Sequence, residues 1–131
     1  MTAGLLDTSV IIDLVDPVVQ ARLPDEISVS AISLAELAAG PILADNPVEQ
    51  ARRQTRLQLT ESMFEPLPFD ADAARSYGQA VAATVANGRT HRSRVADLLV
   101  ASIAHSNGLE LYTRNPHDFM GLEKLVRVIA I

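Results

Sequence analysis

The chain has 131 residues, 48% of them apolar and 21% charged, and no cysteine. That length buries a real core in one domain, residues 1–131, and the missing cysteine excludes a disulfide scaffold and Cys-ligated zinc. A net charge of −5 excludes a protein that coats nucleic acid through a uniformly basic surface. The opening "MTAGLLDTS" lacks the features of a signal peptide, and uncharged runs such as 98–109 are too short and polar for a membrane span. A cytoplasmic protein with no membrane partner is expected.

In chain order, "AGLLD" reads as a buried strand, and Thr8 to Val15 as a helix stopped by Asp16-Pro17. "EISVSAIS" alternates Ile27, Val29 and Ala31 with serines, the pattern of a strand. A helix then carries "LAELAAG", with Gly40 at its C-terminal cap. Asp45-Asn46-Pro47 opens another helix through about Met63, and "FEPLPF" is a short extended segment whose prolines suggest a sheet edge. The spacing of Ala74, Tyr77, Val81 and Val85 predicts a helix from Ala71 to about Ala86, ended by Asn87-Gly88. "VADLLVASIAHSNG" is apolar nearly all round and is therefore a buried helix. "LELYT" is a strand, "PHDFM" a helical turn and "LVRVIAI" a last strand. Strands alternating with helices predict an α/β fold, with a mostly parallel central sheet sandwiched between helical layers.

Four acids stand where strands end or helices begin. Asp7 closes the first strand, Glu36 opens the helix after the second, Asp97 opens the buried helix, and Asp118 follows "LYTRN". Each has a purely structural explanation. Ser33-Leu34-Ala35-Glu36 has the form of a capping box, and Asn115-Pro116-His117-Asp118 that of another cap. Asp7 or Thr8 could cap the next helix, and the macrodipole favours Asp97 near a helix start. Asp97 is nevertheless the only charged residue from Val95 through Ala104. In a parallel sheet, strand C-termini and the following helix N-termini share one edge, and ligands bind there where strand order reverses.

Acids gathered at that edge repel one another, and a divalent cation relieves the repulsion. An all-oxygen donor set suits Mg²⁺ or Mn²⁺ rather than zinc. Asp7 and Asp97 are expected as primary metal ligands, with Glu36 or Asp118 orienting or deprotonating a water that attacks a phosphodiester. Thr8, Ser9, Thr113 and Asn115 add hydrogen-bonding groups on the same rim, and Arg94 and Arg114 could hold a polyanion. Ten of the eleven cations are arginine, the better residue for gripping phosphate. They cluster at 52, 53 and 56, and at 75, 89, 92 and 94 within an acid-free stretch; solvated helix faces explain either cluster equally well.

Three segments resemble the PIN-domain family, and within it the VapC-type ribonuclease toxins of bacterial toxin–antitoxin pairs: "LLDTSVIIDL", "SAISLAELAAG" and "RVADLLVASIAHSNGLELYTRNPHDF". The resemblance places the family's acids on Asp7, Glu36, Asp97 and Asp118, with Asn115 and Asp118 sharing the fourth position. It implies Mg²⁺- or Mn²⁺-dependent endonucleolytic cleavage of RNA, a homodimer, and a cognate antitoxin protein that silences the site. An arginine of that partner could take the place of the metal.

Two rival readings follow from the residues alone. An aspartyl-phosphate phosphotransferase would use Asp7 as nucleophile, but residue 9 is serine and the only lysine is Lys124. A noncatalytic protein-interaction module would keep the fold while the acids serve only as caps. Neither a serine-nucleophile elbow nor a histidine pair offers another chemistry, and few aromatics offer stacking platforms for RNA bases.

Overall fold

The four predicted strands join into one parallel sheet in a computed structural model of the chain, which describes residues 2–131. They are β1 (Ala3–Leu6), β2 (Glu26–Val29), β3 (Glu110–Thr113) and β4 (Val128–Ala130), in the order β2-β1-β3-β4. The "FEPLPF" segment lies at the sheet's edge as expected: Leu67 donates to Val29 O (2.9 Å) and accepts from Ala31 N (2.8 Å), a single parallel bridge beside β2.

Strand alternation divides the core. In register, Leu5 faces Leu111 and Leu6 faces Tyr112. Leu5 and Leu111 join Leu98, Ile103 and Phe119 on one side of the sheet; Leu6 and Tyr112 join Val10, Val19 and Leu37 on the other. The first layer is built from α5 (Ala71–Ala86) and α6 (Val95–Ser106), whose Val100, Ala101, Ile103 and Ala104 are all buried. The second layer contains α1 (Thr8–Ile12), α2 (Pro17–Gln20), α3 (Ala31–Ala39) and α4 (Pro47–Met63). The α/β sandwich is as predicted, and α4 and α5 keep their predicted bounds.

Three local expectations need correction. The first helix ends at Ile12 instead of Val15: Asp13 leaves helical geometry (φ −106°, ψ 21°), and turns lead from it to Asp16, which Pro17 holds extended (φ −70°, ψ 123°). Asp16-Pro17 then opens α2, with the Asp16 side chain accepting from Val18 N. The second strand stops at Val29, and Ser30 is the N-cap of α3, accepting from Ser33 N at 3.0 Å. Ser33 is therefore not the cap, and Glu36 lies beyond the first turn with no capping role. The alternating serines that suggested a longer strand include the cap itself.

Gly4 lies in the middle of β1, between Ile27 and Glu110. A Cβ there would meet Tyr112 Cδ1 at 2.5 Å, in a ring that is buried. Gly4→Ala is expected to lower stability by about 1–3 kcal/mol, read as a fall in the thermal unfolding midpoint. An unchanged midpoint would show that the Tyr112 ring is free to move.

Candidate active site

Strand order reverses beside β1: the chain goes from β1 outward to β2, then returns to place β3 on the opposite side. The crevice at the C-terminal ends of β1 and β3 is the position where α/β sheets bind ligands. Asp7 sits at its floor, 6% exposed, its backbone N–H donating to Tyr112 O at 2.8 Å. That bond locks the end of β1 to β3.

Asp7 occupies the N-cap position of α1, yet its side chain makes no capping bond. Its Oδ2 instead accepts from Ser9 Oγ (2.8 Å) and from Thr113 Oγ1 (2.9 Å). Both hydroxyls are fixed in turn: Ser9 Oγ accepts from Arg114 N (3.0 Å), and Thr113 Oγ1 from Asn115 N (2.9 Å). Among the described residues no protein group donates to Asp7 Oδ1. A residue that forgoes a cap worth about 1 kcal/mol is placed by a different requirement.

Glu36 is held from across the crevice. Thr8 Oγ1 donates to Glu36 Oε1 at 2.8 Å and lies equally close to Ser33 Oγ. Thr8 thus ties the residue after Asp7 to α3. Ser33 is a residue that sequence reasoning assigned to the wrong task; its place three positions before Glu36, on the same helix face, was the signal available.

Asp97 lies in the first turn of α6, as expected, and Asp118 in a 3-10 turn, Pro116–Phe119. Arg94 joins them: its Nη1 donates to Asp118 O at 3.1 Å and stands 4.0 Å from Asp118 Oδ1. Asn115 precedes the 3-10 turn without a side-chain cap. Arg114 turns outward to Asp13 Oδ2 at 2.8 Å, so its guanidinium is already paired. That pairing spans a hundred residues of sequence and has no local signature.

Asp97 has the perturbed carboxyl of the four acids. Its carboxyl is pushed up to about 6, first by burial, then by the charges of Asp118, Asp7 and Glu36, against the lowering effect of Arg94. Asp97 thus senses the charges of the other three acids predicted from sequence. Among the described residues, however, no three acid or histidine side chains converge closely enough, as placed, to cage an ion. The donor set fits a hard cation bound through one or two carboxylates and waters, the habit of Mg²⁺, and the excess negative charge at Asp97 favours it.

The PIN domain family matches residues 4–120. Ribonuclease VapC5 of Mycobacterium tuberculosis (strain ATCC 25618 / H37Rv) is 35% identical over 98% of this chain and 94% of its own length. The chain belongs to the PIN-domain family, in its VapC branch. Among solved structures it resembles a VapBC toxin–antitoxin member, VapBC-5 of M. tuberculosis, at TM-score 0.86 and 33% identity over the whole of both chains. It also resembles FitAcB of Neisseria gonorrhoeae, at TM-score 0.76 and 27% identity over 95% of each chain.

The raised Asp97 value carries a pH signature. The ordinary value is 3.8 and the folded one about 6, so between them the folded protein keeps a proton that the unfolded chain has lost. Stability from this group is fully present below the lower value and is lost as pH rises to the higher. In metal-free protein, Asp97→Asn should flatten that fall and raise the unfolding midpoint at neutral pH. The gain is on the order of 1 kcal/mol once solvent screening is allowed for. A variant less stable than the native protein at neutral pH would contradict this electrostatic picture.

Proposed function

We propose that the chain is a Mg²⁺- or Mn²⁺-dependent endoribonuclease, the toxin of a toxin–antitoxin pair, in which Asp7, Glu36, Asp97 and Asp118 form the catalytic centre. The observation that carries this reading is the electrostatic coupling of Asp97 to three acids from other elements, at the reversal of strand order. The failure of Asp7 and Glu36 to cap any helix weighs against a noncatalytic module that merely keeps the fold.

Asp7, through its open Oδ1, and Asp97 would hold the cation. When bound, the cation supplies charge that polarises the attacking water and steadies the phosphodiester under attack. The protein's own groups do the rest. Ser9 and Thr113 fix the rotamer of Asp7, and Thr8 fixes that of Glu36. Glu36 or Asp118 orients the water and takes its proton as it attacks phosphorus, and Arg94 keeps Asp118 in place. The leaving oxygen departs opposite the water with a proton from solvent. No side-chain nucleophile is required.

The relative VapBC-5 is a toxin–antitoxin structure, and a cognate antitoxin is the expected protein partner here, with homodimerisation of the toxin. A groove of about 480 Å³ supports a protein partner: Ile11, Ile12, Leu14, Leu59 and Met63 form its apolar walls, and Asp13, Arg52 and Arg56 add charge. Among the described residues no helix is long and apolar enough to cross a membrane.

Total cellular RNA, incubated with purified antitoxin-free protein, tests the reading. Discrete fragments are expected with Mn²⁺, none with EDTA, and at least about a hundred-fold slower cleavage by Asp7→Asn. Intact RNA with Mn²⁺, or cleavage indifferent to both EDTA and Asp7→Asn, would refute it.

A further inference from the structure

The two arginine clusters behave differently once folded. In the cluster at 75, 89, 92 and 94, Arg89 Nη1 donates to His117 O and Met120 O and Arg94 to Asp118 O, latching the protein to itself. Arg75 makes an exposed pair with Asp72 (2.7 Å), and Arg92 has no side-chain partner among the described residues. In the cluster on α4, at 52, 53 and 56, only Arg53 is committed to such a latch. Its Nε donates to Glu49 Oε1 at 3.1 Å and its Nη1 to Gly40 O at 2.9 Å, tying α4 to the end of α3. Arg52 is exposed, with its nearest carboxylate oxygen, Glu49 Oε2, 3.7 Å away. Such a pair on an open surface holds little energy. Arg56 is half-buried and, among the described residues, its side chain has neither a hydrogen-bond acceptor nor a carboxylate within ion-pair distance.

Both open guanidinium groups line a groove of about 490 Å³, and the same groove is lined by Thr8 and Glu36 of the acid cluster. Cations at one wall and one of the candidate catalytic acids, Glu36, at another are the arrangement a polyanion needs if one of its phosphates is to react. Arg52 and Arg56 are four residues apart on a helix, so their Cβ atoms stand about 5–6 Å from each other on one face. Successive phosphates of a single strand match that separation, and a planar guanidinium grips each through paired hydrogen bonds. No aromatic side chain lines the groove, so bases find no stacking platform there.

We propose that this groove seats the sugar–phosphate backbone of the RNA strand flanking the cleaved bond, with Arg52 and Arg56 as positioning residues for the neighbouring phosphates. The proposal rests on the ribonuclease reading above and deepens it. Recognition in the groove is of backbone, not sequence. Glu49 also lines the groove, and its charge is offset chiefly by Arg53, whose Nε donates to Glu49 Oε1 at 3.1 Å. An acidic segment of a protein partner is the competing occupant, since Arg52 and Arg56 also line the apolar-walled groove that supports such a partner. It is disfavoured because a groove opening directly onto Glu36 and Thr8 continues a strand already at the reacting phosphate.

The test uses full-length, antitoxin-free protein and a fluorescein-labelled pool of random-sequence single-stranded RNA oligonucleotides, with binding followed against salt and cleavage followed with Mn²⁺. Arg52→Gln and Arg56→Gln should each weaken binding about five-fold. Each should also reduce the slope of log affinity against log salt by about 0.7. The loss should appear in KM while kcat stays unchanged, since the phosphates held are not the one that reacts. Arg75→Gln, which removes the same charge from an exposed pair on α5, should leave all three readouts at native values. Unfolding midpoints confirm that each variant is folded.

If the native protein binds and cleaves while the α4 variants match it, the groove assignment is wrong and the ribonuclease reading survives. The assignment is equally wrong if the variants weaken only capture of the cognate antitoxin, which would give the groove to the protein partner. If the native protein neither binds nor cleaves the pool, both readings fall together.

Discussion

The burial of the Asp97 carboxyl within reach of three other acids is the constraint on which the candidate site depends. Asp7, Glu36, Asp97 and Asp118 come from four separate elements, and burial at Asp97 makes their proximity more costly than it would be in water. Left to themselves such groups would move apart or take up protons. The parallel sheet prevents the first: β1 and β3 are hydrogen-bonded neighbours, and the Asp7 N–H to Tyr112 O bond extends their pairing one residue past the strand. The proton held by Asp97 up to about pH 6 is the second response, arrested part way.

The hydroxyl residues around Asp7 explain how this tension is kept local. Ser9, Thr113 and Thr8 are neutral donors, so they can fix carboxylate rotamers without cancelling the charge that a cation would need. Arginine would have satisfied the acids more completely and occupied the site. The arginine nearest the cluster, Arg94, engages chiefly the backbone oxygen of Asp118 and stands at the limit of ion-pair distance from its carboxylate. Arg114 is drawn off to Asp13. The charge that remains is available to whatever binds.

Much of this was legible in the sequence because it is written in local patterns. The period of apolar residues marks the buried α6 and the amphipathic α5, and the four acids stand at strand and helix ends that any parallel sheet gathers at one edge. The expectations that failed depended on geometry several residues or many residues away. Ser30 and Ser33 are interchangeable as candidate caps until the end of β2 is known, and that end is set by pairing with β1 and Leu67. The pairing of the Arg114 side chain with Asp13, and the bonds that set Arg53 apart from Arg56, follow from tertiary partners with no sequence spacing to announce them.

The central claim is that the strand-end acids are one metal site and not a collection of helix caps. Calorimetric titration of Mn²⁺ into the metal-free, antitoxin-free protein near pH 6, run in two buffers of different ionisation enthalpy, tests it most directly. The account predicts saturable binding that releases a proton from the Asp97 carboxyl, and loss of that binding in both Asp7→Asn and Asp97→Asn while each remains folded. Binding that is absent, or that survives both substitutions, would contradict it.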